Sequence, residues 1–223
     1  ADGRQRRRQL ELPNQPGMLA RGDNGRRYDR LRQRLMCPIM DRRGRVIACG
    51  GRLTGSEQGP KYLNSPETPL FHKGRELFAL WQVKQANPKL ERIVVVEGYM
   101  DAIAMHQAGL PIAVPTLGTA TTPEPTEQLF RATTDVVFCF DGDRAGRAAA
   151  WKALEATLPR MRDGRQAGFL FLPDGEDPDS LIRKEGQAGF EQRTGQAMPV
   201  SDYLLTELPH AVDTRSEERR VGQ

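Results

Sequence analysis

No apolar run in this chain approaches the roughly 18 residues that a membrane-spanning helix requires. The amino end is rich in arginine and has no apolar stretch of the kind that marks a secretory signal. No membrane association is expected, and a cytoplasmic location is. Cysteine is scarce: Cys37, Cys49 and Cys139 lie far apart and form no CxxC pair. Reduced thiols are therefore expected, and a zinc site of the usual spacing is not. Lysine is missing from residues 1–52, where every positive side chain is an arginine. Aromatic residues make up only 6% of the chain, and only Tyr28 and Tyr62 flank the basic stretches. The 223 residues suffice for one sizeable core or two compact subdomains.

What is present is unevenly spread. Residues 1–52 carry 14 arginines against five acids, a net +9, so the remainder must carry −5 to reach the overall +4. Segregation of this kind suits a polyanion held on one part and acids for metal on another. ADGRQRRRQ alone reads as a solvated basic tail. RRYDRLRQR, residues 26–34, does not, because its arginines alternate with Leu31 and lead into an apolar segment.

The order of elements follows from pattern. Residues 1–25 are polar and read as loose. MCPIM and RVIACGGRL read as two strands joined by a tight turn at DRRGR. PKYLNSPETPLFHKG, 60–74, is too polar and proline-rich for a regular element, and RELFALWQVKQ has helical spacing up to Asn87-Pro88. Then the grammar changes. IVVVE is a continuous β-branched run, as in a strand buried on both faces. MDAIAMHQAG, IAVPT, TEQLFRA, VVFCF, RAGRAAAWKALEATL and AGFLFLP follow as helix and strand in alternation. Short connections between them argue for a largely parallel α/β sheet flanked by helices.

In such sheets ligands collect at the carboxyl ends of the strands. The acids sit there. Glu97 closes the first strand and Asp101 follows one turn later. Asp141 and Asp143 close the third. PDGEDPDSL, with Asp174, Glu176, Asp177 and Asp179, follows the fourth. Carboxylates gathered on one edge repel unless a cation neutralises them, and an all-oxygen set suits Mg²⁺ or Mn²⁺. Taken singly the signals are weak. DPD fits a turn with a helix cap equally well, and Glu97 alone could be stabilised by the dipole of the next helix. Three acidic strand ends in succession are much harder to reach by accident.

Glutamate after one hydrophobic strand, DGD after another and DPD after a third together resemble the TOPRIM domain. Bacterial primases, type IA and type II topoisomerases, OLD-type nucleases and recombination mediators of the RecR kind share it. In finer detail VVVEGYMDAIA, TLGTATT, FDGDRAGRAAAWKAL and FLPDGEDPDSLIRKEG resemble the bacterial DnaG-type primase family, as do RYDRLRQRLMCPIMDRRGRVIACGGR and PKYLNSPETPLFHKGRELF. The resemblance covers about residues 25–210. It implies a TOPRIM-type α/β core, residues 91–185, behind a basic amino-terminal α/β subdomain, 26–90. A flexible segment, 1–25, would precede them, and the start of a helical subdomain, 186–223, would follow.

The resemblance also implies roles. Glu97, Asp141 and Asp143 become the catalytic acids, Glu97 for acid/base work or metal coordination. The metal set is Glu97, Asp141, Asp143, Asp177 and Asp179, with Asp101 accessory, for two or more Mg²⁺ or Mn²⁺ ions and no zinc. Lys61, Asn64, His72 and Lys73 would approach the nucleotide; turn chemistry also explains Asn64, and packing beside Phe71 also explains His72. Arg30, Arg32, Arg34, Arg52 and Lys61 would track the DNA. The implied activity is template-directed RNA primer synthesis from NTPs on single-stranded DNA by a monomer. A replicative helicase would be a partner through a domain that this sequence does not contain. Other readings are another TOPRIM enzyme or a non-catalytic DNA-binding or recombination module. A topoisomerase needs a cleaving tyrosine, and Tyr28, Tyr62, Tyr99 and Tyr203 stand in no context for that. The complete acid set weighs against a non-catalytic module.

Overall fold

The computed structural model describes residues 19–21, 25–55, 59–116 and 123–208. The chain divides into two compact units, residues 1–82 and 83–223, with the boundary inside helix α1, Leu80–Ala86.

The first unit is antiparallel. Strands β1, Leu19–Arg21, and β2, Arg27–Asp29, pair with each other. Strands β3, Arg34–Met40, β4, Val46–Leu53, and β5, Tyr62–Asn64, form a three-stranded sheet with β4 in the middle. The expected turn between β3 and β4 is present. Asp41 Oδ1 accepts from the backbone N–H groups of Arg43 (2.8 Å) and Arg45 (3.0 Å), and Gly44 takes a left-handed φ of 77°. Trp81 packs so closely there that a Cβ on Gly44 would lie 2.6 Å from its ring. Leu31, Cys37, Ile39, Ala48, Phe71 and Leu77 are buried.

Three expectations fail in this unit. β1 lies in the segment read as loose. β5 lies in the stretch read as loop; it is a three-residue edge strand, too short to show a period, and its order comes from pairing with Gly50–Arg52 of β4. Ser65 extends that pairing, because its Oγ accepts from the Cys49 N–H at 3.0 Å. The helix expected from residue 75 starts only at Leu80, because Ala79 sits at φ 62° and breaks the α path.

The second unit carries a five-stranded sheet in the order β10-β9-β8-β6-β7. Strands β6, Arg92–Val96, β7, Ala113–Pro115, β8, Asp135–Phe140, and β9, Gln166–Phe171, are mutually parallel, as the alternating pattern predicts. The short β10, Met198–Pro199, adds an antiparallel edge. Register is pinned where Arg92 and Asp135 stand opposite each other and pair at 2.7 Å. Helix α2, Tyr99–Gln107, and helix α5, Pro178–Gly195, pack with the aliphatic side of the sheet, on Val94, Val96, Val137, Cys139, Leu170 and Leu172. Helix α3, Pro123–Ala132, packs beside α4, Arg144–Thr157. The opposite side of the sheet is aromatic. Phe138 and Phe169 stack at 5.5 Å, and Tyr203, from a helix at 200–208 (α6), stacks on Phe169 at 4.6 Å. Arg147 of α4 lies over Phe171. Among the described residues no helix is long and apolar enough to cross a membrane.

Candidate active site

β6 lies between β7 and β8, and the chain visits β7 before it returns to β8. The chain leaves β6 into α2, on the aliphatic side, and leaves β8 into α4, whose Arg147 lies on the aromatic side. Loops that part in this way open a crevice at the carboxyl ends of the two strands. Glu97 and Asp141 stand at its lips. The Asp141 backbone N–H acts on the Glu97 carboxylate and favours its ionised form.

The local geometry follows from the short turns. Gly98 caps α2, and Asp101 Oδ2 accepts its N–H at 2.9 Å, so Asp101 leans back toward Glu97. Asp143 caps α4 by accepting the Gly146 N–H at 2.7 Å. The turns after β8 and β9 touch: a Cβ on Gly142 would lie 2.2 Å from the Leu172 carbonyl oxygen and 2.9 Å from Asp174 Oδ1.

Electrostatics mark Glu97, Asp101 and Asp141 as one group. Burial, then Asp141 and Asp143, hold Glu97 above the ordinary carboxylate range, against the Asp141 N–H. Burial, then Asp143 and Asp177, do the same to Asp141. Asp101 is pushed up to about 6, by burial first and then by Asp177, Asp141 and Glu97, although the Gly98 N–H opposes this. Behind them the Cys139 thiol is buried and pushed far up, so it is inert.

Several of the predicted acids are engaged by partners of their own. Asp177 accepts the Ser180 N–H at 2.7 Å and caps α5, so the cap reading of DPD holds for it. Asp179 is drawn to Arg183, at 2.8 Å. Glu176 is engaged by Ser180 and Lys184. Among the described residues no three His, Cys, Asp or Glu side chains form a ready-made ligand cluster.

In the first unit the basic residues gather by register. Leu35 pairs with Arg52 and Arg52 with Tyr62, and the Arg34 guanidinium donates to the Gly51 carbonyl at 3.1 Å and reaches that of Lys61 at 3.5 Å. Arg34, Arg52 and Lys61 therefore share one end of the sheet. Arg34 uses Nη1 to brace these backbone carbonyls, a contact that spacing could not reveal. Arg52 Nε is buried with no hydrogen-bond partner among the described residues. Arg32 stacks on Tyr28 at 4.6 Å, and Arg30 is exposed. Asn64 lies in β5, half-buried. His72 faces Glu67 at 3.5 Å and remains about half exposed, so packing on Phe71 does not account for it. The Lys73 backbone N–H donates to Glu67.

Two family profiles match the chain: DNA primase catalytic core, N-terminal domain, over residues 4–84, and Toprim-like over residues 94–182. The DNA primase of Escherichia coli K12 is 56% identical over 205 residues, 92% of this chain. The structure of a DnaG primase catalytic domain bound to ssDNA superposes with a TM-score of 0.84 at 56% identity, covering 89% of this chain and 64% of that one. The RNA polymerase domain of Mycobacterium tuberculosis primase DnaG superposes with a TM-score of 0.74 at 32% identity, covering 90% of this chain and 68% of that domain. This chain belongs to the DnaG-type primase family. Against the full-length E. coli primase it spans about a third, 35% of the length. The first match holds all the basic residues singled out here, Arg30 to Lys73. The second holds all the acids, Glu97 to Asp179, within a primase-type TOPRIM core.

Proposed function

We propose that this chain carries the nucleotidyl-transfer centre of a primase, joining ribonucleoside triphosphates into short RNA primers on a single-stranded DNA template. In this reading residues 26–90 form the basic template-handling subdomain and 91–185 the TOPRIM domain. One observation carries the proposal. Glu97, Asp101 and Asp141 follow the carboxyl ends of two neighbouring parallel strands, and each is held above its ordinary pKa in part by another carboxylate. An all-oxygen donor set under mutual repulsion fits a hard divalent cation, which would relieve the repulsion and let the carboxyls ionise. Glu97, Asp141 and Asp143 would hold Mg²⁺ or Mn²⁺, with Asp101 supporting them. Asp177 and Asp179 would join a second ion on leaving the Ser180 N–H and Arg183. When bound, such ions favour ionisation of the attacking hydroxyl and neutralise charge on the departing pyrophosphate.

The chain's own groups supply the rest. A primer 3′-hydroxyl attacks the α-phosphorus of an NTP, the bond to the bridging oxygen breaks and pyrophosphate leaves. Glu97, partly desolvated, would accept the hydroxyl proton on its carboxylate. Lys61 and Lys73 would bring positive charge to triphosphate oxygens, His72 would offer a ring nitrogen and Asn64 an amide. Arg30, Arg32 and Arg52 carry charge for template phosphates, in keeping with the ssDNA held by the matched primase domain.

The test is extension of an annealed RNA primer on ssDNA with labelled NTPs and Mg²⁺ or Mn²⁺. Glu97→Gln should lower the rate by about a hundredfold or more with the circular dichroism spectrum unchanged. Wild-type extension by Glu97→Gln would remove Glu97 from the chemistry, and no extension by the wild-type chain would remove the proposed activity from it.

A further inference from the structure

The glycine between Asp141 and Asp143 is not there for its backbone angles, since its φ lies outside the left-handed region. It is there for space. An added Cβ would fall 2.2 Å from the Leu172 carbonyl oxygen, 2.9 Å from Asp174 Oδ1 and 3.2 Å from Asp174 N. The nearest of these is backbone, and that backbone is fixed. The Leu172 N–H donates to the Phe140 carbonyl at 2.9 Å, and the Leu172 side chain is buried in the aliphatic core. The DGD turn is held from its other side as well. Gly146 sits so close over the Asp141 carbonyl that a Cβ there would be 2.1 Å from its oxygen, while its N–H holds Asp143. The turn after β8 is thus seated between the first turn of α4 and the turn after β9.

We infer that Gly142 is a positioning residue, whose missing side chain lets the Asp141–Asp143 turn rest on the Leu172–Asp174 backbone and so sets the spacing between the acids of two strand ends. This rests on the metal reading above and adds to it the device that fixes the distance. A methyl group at 142 would have to part the two turns by roughly 1 Å to reach ordinary contact, a displacement large enough to disable a positioned site.

The test reads Mn²⁺ binding directly, by electron paramagnetic resonance of free Mn²⁺. Gly142→Ala should weaken binding about tenfold to a hundredfold, the range seen when support around a metal site is removed. Gly168→Ala is the control. Its Cβ would meet Ala197 Cβ at 3.0 Å, in the interior of β9 and away from the acids. It should lower the melting temperature and leave Mn²⁺ affinity unchanged. Equal affinity of Gly142→Ala and wild type would overturn the inference alone. No Mn²⁺ binding by the wild-type chain would overturn the metal reading and the inference with it. Should Gly142→Ala not fold, hydrogen exchange on the wild-type chain decides. Added Mn²⁺ should protect residues 141–147 and 172–181 over the same concentration range. Protection confined to the first turn would show that the two are not coupled and sink the idea.

Discussion

Replacing Asp101 by Asn should make the metal-free protein more stable at neutral pH, although it removes a residue of the candidate site. The Asp101 carboxyl has an ordinary pKa of 3.8 and is pushed up to about 6 in the fold, by burial first and by Asp177, Asp141 and Glu97 after it. Below pH 3.8 the carboxyl is protonated in folded and unfolded chains alike and has no effect. Between 3.8 and about 6 the unfolded chain has given up its proton and the folded one has not, so folding is progressively penalised. Above about 6 the penalty is complete. At 1.36 kcal/mol per tenfold it comes to about 3 kcal/mol at most, and solvent in the open crevice reduces it to roughly 1–3. Asn cannot ionise, yet it keeps an oxygen to accept the Gly98 N–H that Asp101 now accepts at 2.9 Å. Each kcal/mol moves the melting temperature of a chain this size by about 2–4 °C. Thermal denaturation in EDTA at pH 7.5 should favour Asp101→Asn, and the advantage should shrink as the pH falls toward 4. Saturating Mn²⁺ should narrow or reverse it, because an ion bound to the folded state alone rewards the carboxylate. Equal or lower stability of Asp101→Asn at pH 7.5 in EDTA would refute the account of a strained carboxylate.

Asp141→Asn with Asp143→Asn should abolish most of the rise in melting temperature on adding Mn²⁺ while α4 keeps its cap, because Asn caps as well as Asp; an undiminished rise would place the ion elsewhere. Replacing Arg30, Arg32 and Arg52 together by Ala should weaken ssDNA binding and flatten its dependence on salt, with Mn²⁺ binding unaffected. Unchanged affinity at low salt in that triple variant would make the basic region a solvated surface. Phe169→Ala should cost about 3–5 kcal/mol in urea denaturation, since Phe169 is buried against Phe138, Phe140 and Tyr203; a loss below 1 kcal/mol would mean the aromatic layer is not packed as described.

The parallel core was legible because its strands are short apolar runs with no alternation, IVVV and VVFCF, and a strand buried on both faces has no other signature. The acids were legible as well, because a charge at the end of such a run is out of place unless something outside the sheet needs it. Their division of labour was not. Whether Asp177 turns to the Ser180 N–H or to the crevice depends on the path of the next three residues, and Asp179 depends on an arginine one helical turn on. β5 and β10 were missed because two or three residues carry no periodicity, so their order comes wholly from the neighbouring strand. Leu77, Leu80 and Trp81 do fall at helical spacing, but Ala79 at φ 62° cuts the helix short, a tertiary choice that overrides local propensity.

The two sides of the parallel sheet differ in side-chain size. One meets Ala102 and Met105 with valine, leucine and Cys139, and the other presents Phe138, Phe140, Phe169 and Phe171. In a strand, sliding by one residue exchanges the sides. For β8 or β9 such a slip would thrust phenylalanine rings into a layer that holds Val94 and Ala113 and would leave the aromatic stack facing aliphatic side chains. Because both sides are buried, hydrophobicity alone could not forbid the error; difference in volume does. In β8 the same slip would rotate Asp141 out of the crevice, so the mismatch in bulk that proofreads the strand alignment also guards the placement of that acid.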